Sequence, residues 1–73
     1  MTLPQWYIER EEEARKMRRE NADWEFINSL PPRQRAAVLL FIELGALRLA
    51  QRISGLPLED FIELLRKAGV WIP

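Results

Sequence analysis

The sequence predicts an all-α fold, a small helical bundle that forms a single domain over residues 1–73. Three observations lead to this prediction. Apolar residues recur at helical spacing near the C-terminus, long stretches of the chain contain no Gly, and most of the Gly and Pro residues stand where one helix would end and the next begin. A chain of 73 residues is near the lower size limit for independent folding, so we also expect it to form a homodimer or to bind a partner.

The first predicted helix covers residues 4–20 and is unusually polar. It is rich in strong helix formers, and two of its glutamates stand four residues before a basic residue, an order worth roughly 0.2–0.5 kcal/mol per pair. Its apolar positions are few: Leu3, Trp6, Tyr7, Ala14 and Met17. Such a helix is either solvated for much of its length or serves as an arm that binds a second copy or another protein.

A short helical segment is predicted over residues 23–29, with Asp23 as its N-cap. The two prolines that follow require an extended approach to the next helix, because a residue before proline avoids the α region. Pro32 suits the first position of that helix, where its missing N–H has no intrahelical partner to lose.

The central helix is predicted over residues 32–53, and its apolar run from Ala36 to Ile42 marks it as the most buried element. Gly45 leaves two alternatives open, a break into two helices or one continuous or kinked helix. An interior Gly costs only about 1 kcal/mol relative to Ala. Because no Ser, Thr, Asp or Asn stands next to Gly45 to cap a new helix, we favour the continuous or kinked helix.

The tight turn at residues 54–57 is the clearest boundary in the chain. Gly55 suits the left-handed residue that ends a helix, Leu56 supplies the apolar contact that usually follows, and Pro57 blocks continuation. The last helix is predicted over residues 57–68, ends at Gly69 and has acidic residues in its first turn and basic residues in its last. Its apolar face comprises Leu58, Phe61, Ile62 and Leu65. The apolar tail that follows is expected to close the core or to anchor a partner.

The composition excludes several classes of function. The chain has no Cys and no His, so disulfides, thiol nucleophiles, zinc fingers and histidine acid–base chemistry are absent. Glu59, Asp60 and Glu63 lack an accompanying Gly-rich oxygen-ligand loop, and we therefore predict no metal, no cofactor and no catalytic residue, hence a binding protein rather than an enzyme. Without a leader sequence or a membrane-spanning apolar run, the expected location is the cytoplasm, away from the membrane.

Two stretches resemble known families. Residues 30–35 are similar to the opening of region 4 of bacterial sigma factors. Residues 47–70 resemble more closely a family of small prokaryotic helix-turn-helix proteins regarded as antitoxins of toxin–antitoxin pairs. The matching residues are Ala50, Gly55, Leu56, Phe61, Ile62, Glu63, Leu64, Leu65, Gly69 and Val70. Gln51 stands where a DNA-binding helix-turn-helix normally has Ala or Gly, and Pro57 replaces the usual Ser.

The closer resemblance implies a helix-turn-helix-like C-terminal half, a role in transcription regulation, double-stranded DNA as a ligand and a toxin-like protein as a partner. Although the net charge is zero, the basic residues after residue 30 are candidate phosphate contacts: Arg33, Arg35, Arg48, Arg52, Arg66 and Lys67. Arg48 and Arg52 share a helix face because they lie one turn apart. The alternative is ordinary solubilising charge, and the acidic first turn of the last helix is unfavourable for DNA.

The candidate partner-binding residues are apolar: Trp6, Met17, Trp24 and Trp71. Trp is enriched at binding hot spots, but in a domain this small it is often part of the core. We therefore expect one or two of the three tryptophans to be buried and at least one to lie at an interface. Two functions remain open: a dimeric helix-turn-helix protein that binds DNA, or a protein-interaction module, dimer or adaptor, that binds no nucleic acid.

Overall fold

The computed structural model describes residues 2–71, and in that range the chain forms five α-helices and no β-strand, which confirms the all-α class. The helices are α1 (Gln5–Asn21), α2 (Trp24–Ser29), α3 (Pro32–Leu44), α4 (Leu47–Ser54) and α5 (Leu58–Lys67). The molecule is longer than it is wide, with extents of 37 × 23 × 21 Å.

The hydrophobic core is built around α3. This helix buries Ala37, Val38, Phe41 and Ile42, and the other helices pack onto that face with fully buried side chains from α2, α4 and α5: Ile27, Ala50, Phe61 and Leu65. The predicted central position of α3 is correct. Its apolar run is not buried all round, however, because Ala36 and Leu39 face solvent.

The C-terminal segment follows the predicted pattern. In α5, Phe61 and Leu65 are buried and Ile62 is half-buried, so its apolar face packs on the core as expected. After Gly69 the chain closes the core as far as the structure describes it, with Val70 buried and the Trp71 ring 6.1 Å from the ring of Phe41. Ile72 and Pro73 lie outside the described residues.

The local signals for helix ends are confirmed. The N–H of Phe26 donates to the Asp23 carboxylate at 3.1 Å, so Asp23 is the N-cap of α2. Pro32 is the first residue of α3. Gly55 ends α4 in the left-handed conformation, with φ of 74°, and Leu56 packs against the core.

The favoured continuous helix across Gly45 is wrong. Helix α3 ends at Leu44, Gly45 adopts φ of 64°, and α4 begins at Leu47. The N–H of Gly45 donates to the carbonyl of Phe41 at 2.8 Å, which closes the last turn of α3. The chain then reverses, so that α3 and α4 pack side by side.

Two arginines of α1 explain why α3 ends there. A helix terminus leaves its last carbonyls without partners and carries a partial negative charge. Arg18 Nε donates to the carbonyl of Ile42 at 2.9 Å, and Arg15 Nε donates to the carbonyl of Glu43 at 2.8 Å. These bonds give partners to two carbonyls that the helix itself leaves unpaired, and they place positive charge at the negative end of the helix.

The same contact holds α1 on the body of the protein. Arg19 forms a bidentate ion pair with the Glu43 carboxylate, with N–O distances of 2.6 to 3.0 Å. The hydrogen bonds from Arg19 lower the pKa of Glu43 below its ordinary value. Helix α1 has no fully buried residue. Its attachment therefore depends on arginine contacts more than on apolar burial.

Replacing Arg18 with Met is expected to lower the free energy of unfolding by about 1–2 kcal/mol, because the Ile42 carbonyl loses a charged donor while the side chain keeps its length. Urea unfolding followed by tryptophan fluorescence measures the change. Lys16→Met is the matched control, since Lys16 is exposed and its one ion pair among residues 2–71 is with Glu20 at 3.9 Å. Equal effects for the two variants would contradict the capping role of Arg18.

Candidate functional site

The turn between α4 and α5 is closed by side chains of α4. Ser54 is buried, and its hydroxyl donates to the carbonyl of Gln51 at 2.6 Å and accepts the N–H of Leu56 at 3.1 Å. Gln51 Nε2 donates to the carbonyl of Leu56 at 2.8 Å. Gln51 stands where a DNA-binding helix-turn-helix normally has Ala or Gly. Here its half-buried side chain holds the turn closed.

The C-terminal end of α4 is capped by the first turn of α3. Arg33 Nε donates to the carbonyl of Ile53 at 2.7 Å, and Gln34 Nε2 donates to the carbonyl of Ser54 at 3.0 Å. Arg33 therefore caps the C-terminal end of α4 with a hydrogen bond, as the arginines of α1 cap the C-terminal end of α3. Its guanidinium has further N–H groups for another acceptor.

Three of the six candidate phosphate contacts belong to one part of the molecule, and we call them the basic surface: Arg33, Arg48 and Arg52. All three side chains are exposed. Arg48 and Arg52 lie one turn apart on α4, and Arg33 is fixed at the end of that helix. Within residues 2–71, none of the three forms an ion pair with a carboxylate.

The other three candidate contacts do not join this surface. Arg35 is half-buried, and as the second residue after Arg33 it points to nearly the opposite side of α3. Arg66 pairs with Glu63 at 3.6 Å. Lys67 is the last residue of α5, at the end away from the turn, and it borders a shallow depression that it shares with Asp60 and Glu63. The acidic first turn of α5 is exposed, as expected.

The expectation for the tryptophans is partly wrong, since none of the three is fully buried. Trp6 is 61% exposed. Trp24 is exposed beside the junction of α1 and α2, where its Nε1 donates to the carbonyl of Arg19 at 3.2 Å. Trp71 is half-buried against Phe41. Smaller side chains fill the core, and of the three tryptophans only Trp71 packs at its edge within residues 2–71.

Residues 3–13, which we call the N-terminal arm, are exposed at every position. A helix that lay along the body would bury one face, so this part of α1 extends past the body. The arm carries Leu3, Trp6, Tyr7 and Ile8. The Trp6 and Tyr7 rings meet edge to face at 6.1 Å, and the guanidinium of Arg10 lies 5.7 Å from the Trp6 ring.

Beside the arm, an apolar groove of about 300 Å³ opens between α1 and the core. Its lining comprises Ala14, Met17, Arg18, Phe41 and Val70. Arg18 forms one wall, with its guanidinium 5.7 Å from the Phe41 ring. Of the predicted partner-binding residues, Met17 lines this groove and Trp6 lies on the arm.

Sequence reasoning missed the apolar outer face of α4. Leu49 and Ile53 lie one turn apart and are exposed beside the two arginines of that helix. Their spacing would have indicated this face had α4 been recognised as a separate helix. Within residues 2–71, no group of three His, Cys, Asp or Glu is placed to hold a metal ion. No helix of the described part is long and apolar enough to cross a membrane.

Comparisons with protein-family models, with curated protein sequences and with solved structures each found no significant match.

Proposed function

We propose that this is a helix-turn-helix-type regulatory protein that binds duplex DNA through the basic surface of Arg33, Arg48 and Arg52. The observation that carries the proposal is that these three exposed guanidinium groups lie along α4 and at its end without a carboxylate partner among residues 2–71. A guanidinium presents paired N–H donors that match phosphate oxygens. The resemblance of residues 47–70 to antitoxin-like proteins supports the same proposal and adds a toxin-like protein as a partner.

The charges of α5 indicate what kind of contact this would be. Glu59 and Asp60 are exposed in its first turn, the part of a recognition helix that normally meets base edges. Carboxylates near phosphates are repelled, so α4 rather than α5 supplies the attraction. Binding of this kind depends on the backbone phosphates, discriminates little between sequences and weakens steeply with salt.

The test is binding of a random-sequence duplex over a salt series, comparing the native chain with Arg48→Glu/Arg52→Glu. We expect the double variant to bind at least about tenfold more weakly and the slope of log affinity against log salt to fall by about 2, one unit per phosphate contact. The matched control is Lys16→Glu/Lys67→Glu, which changes the net charge equally but outside the basic surface.

Circular dichroism checks that both variants remain folded. Equal losses in the two double variants would mean that net charge alone attracts DNA and would remove Arg48 and Arg52 from the site. Absence of binding by the native chain at low salt would refute the DNA function.

The second candidate function is a protein-interaction module that binds no nucleic acid. It is favoured by a separate observation: ten large apolar side chains are exposed within residues 2–71. They are Leu3, Trp6, Tyr7, Ile8, Met17, Trp24, Leu39, Leu44, Leu49 and Ile53. Exposed apolar residues are normal when scattered, but here four of them occupy the N-terminal arm. DNA binding that fails at low salt would leave this as the better function.

A further inference from the structure

The apolar positions of α1 have the spacing of a helix-pairing seam. Leu3, just before α1, is followed by Tyr7, Arg10, Ala14 and Met17 at intervals of four, three, four and three residues. This alternation is the a/d pattern by which one helix packs against another, with Arg10 as a polar interruption. The second half of the seam lines the apolar groove, whereas the first half extends into solvent.

The groove has the size and the chemistry to receive an aromatic ring. Its volume is about 300 Å³, and it presents a thioether, an aromatic ring and an aliphatic side chain from Met17, Phe41 and Val70. These groups make favourable contacts with an indole. The guanidinium of Arg18, already placed over Phe41, can also lie against a second ring.

Trp6 is the most exposed aromatic residue of the arm, but it cannot fill the groove of its own chain. It lies on the same continuous helix as Met17, eleven residues away, and a rigid helix holds the two positions about 16 Å apart. Trp6 can therefore reach this groove only in another copy.

The charges along α1 favour an antiparallel approach by that second copy. When Trp6 of one antiparallel helix lies opposite Met17 of the other, the two-fold axis passes between positions 11 and 12. Arg10 of each helix then lies opposite Glu13 of the other, so each copy offers an opposite charge to its partner. A parallel pair would bring like charges together, which is destabilising.

We propose that two copies of this chain form a dimer by antiparallel exchange of their N-terminal arms, with Trp6 of each copy inserted into the apolar groove of the other. The arrangement has two-fold symmetry, so every contact is made twice. It covers the part of α1 that the monomer leaves exposed, and it leaves the α4 face of each copy open. The inference does not depend on DNA binding.

Sedimentation equilibrium of the full chain over a range of concentrations tests the proposal. We expect a dimer whose dissociation constant rises at least about thirtyfold in Trp6→Ala, as for a hot-spot tryptophan. Met17→Glu, which places a charge in the groove, should cause a similar loss. Both side chains are exposed in the monomer, so the fold is retained. Trp24→Ala is the control, because Trp24 is an exposed tryptophan outside the arm and the groove.

A mixture distinguishes arm exchange from other modes of dimerisation. Trp6→Ala retains an intact groove and Met17→Glu retains an intact arm, so one copy of each can form one native contact. We expect the mixture to dimerise more strongly than either variant alone. A monomeric native chain, a Trp6→Ala variant that dimerises normally, an equal loss in Trp24→Ala, or a mixture no stronger than its components would each overturn the proposal.

Discussion

Replacing Gly69 with Ala is expected to lower the free energy of unfolding by about 3 kcal/mol. Gly69 has φ of 77°, a conformation that strains any residue with a side chain. A Cβ atom there would also lie 2.5 Å from the carbonyl oxygen of Asn21. That oxygen belongs to the backbone at the end of α1, next to the point where the N–H of Asp23 donates to the carbonyl of Ala68 at 2.8 Å. Relief of the clash would separate α5 from the junction of α1 and α2.

Gly45→Ala is the matched control for this prediction. Gly45 has a similar φ of 64°, but the atoms nearest to a Cβ there would be those of the Arg18 guanidinium, at 3.3 Å. Because a guanidinium is the flexible end of a long side chain, the control should cost little more than the backbone strain, about 1 kcal/mol. Urea unfolding of the two variants measures the difference. Equal destabilisation would show that the Asn21 contact has no effect.

Replacing Phe61 with Ala is expected to cost about 3–5 kcal/mol, because it combines lost apolar burial with a cavity in the core. Phe61 is the largest of the fully buried side chains within residues 2–71. Domains have roughly 0.05–0.15 kcal/mol of stability per residue. A chain of this length therefore loses much of its stability, and a large part of the population should be unfolded at physiological temperature.

Thermal unfolding by circular dichroism measures this effect, with Phe26→Ala as the control. Phe26 is a half-buried phenylalanine at the edge of the same core, so its removal leaves an opening to solvent rather than a closed cavity. We expect it to cost clearly less. A Phe61→Ala variant as stable as Phe26→Ala would contradict the central role of Phe61.

The two proposals use different surfaces of the same small domain. The basic surface lies on α4 and at its end, and the arm and groove lie on α1 and the core behind it. A dimer formed through the arms would therefore present two basic surfaces. Two such surfaces on one dimer raise the affinity for a single duplex only if both can reach it at once.

The sequence predicted which residues belong to the candidate site, but it did not predict how all of them lie relative to one another in the folded protein. The sequence indicated Arg48 and Arg52 as a pair, because their spacing on one helix determines that they share a face. It could not show that Arg33 lies at the end of α4, where it donates to the carbonyl of Ile53, 20 residues further along the chain. That contact depends on the packing of α3 against α4.

The sequence also could not predict how the tryptophans and the apolar groove are arranged in space. Composition indicated that Trp6 and Met17 were available for binding, but only the packing of α1 on α3 leaves a groove beside Met17 and an arm that extends past the body. The attachment that creates both features is made by arginines whose acceptors are 24 to 28 residues away along the chain. No local pattern indicates such partners.

The sequence by itself determined the all-α class, the Asp23 cap, the turn after Ser54 and the amphipathic face of α5. Each of these depends on interactions within a few residues, where propensity and capping act directly. Only the tertiary structure decided the break at Gly45. The local cost of an interior Gly was too small to end the helix, and Arg15 and Arg18 of a distant helix supplied the hydrogen bonds and positive charge that stabilise its end.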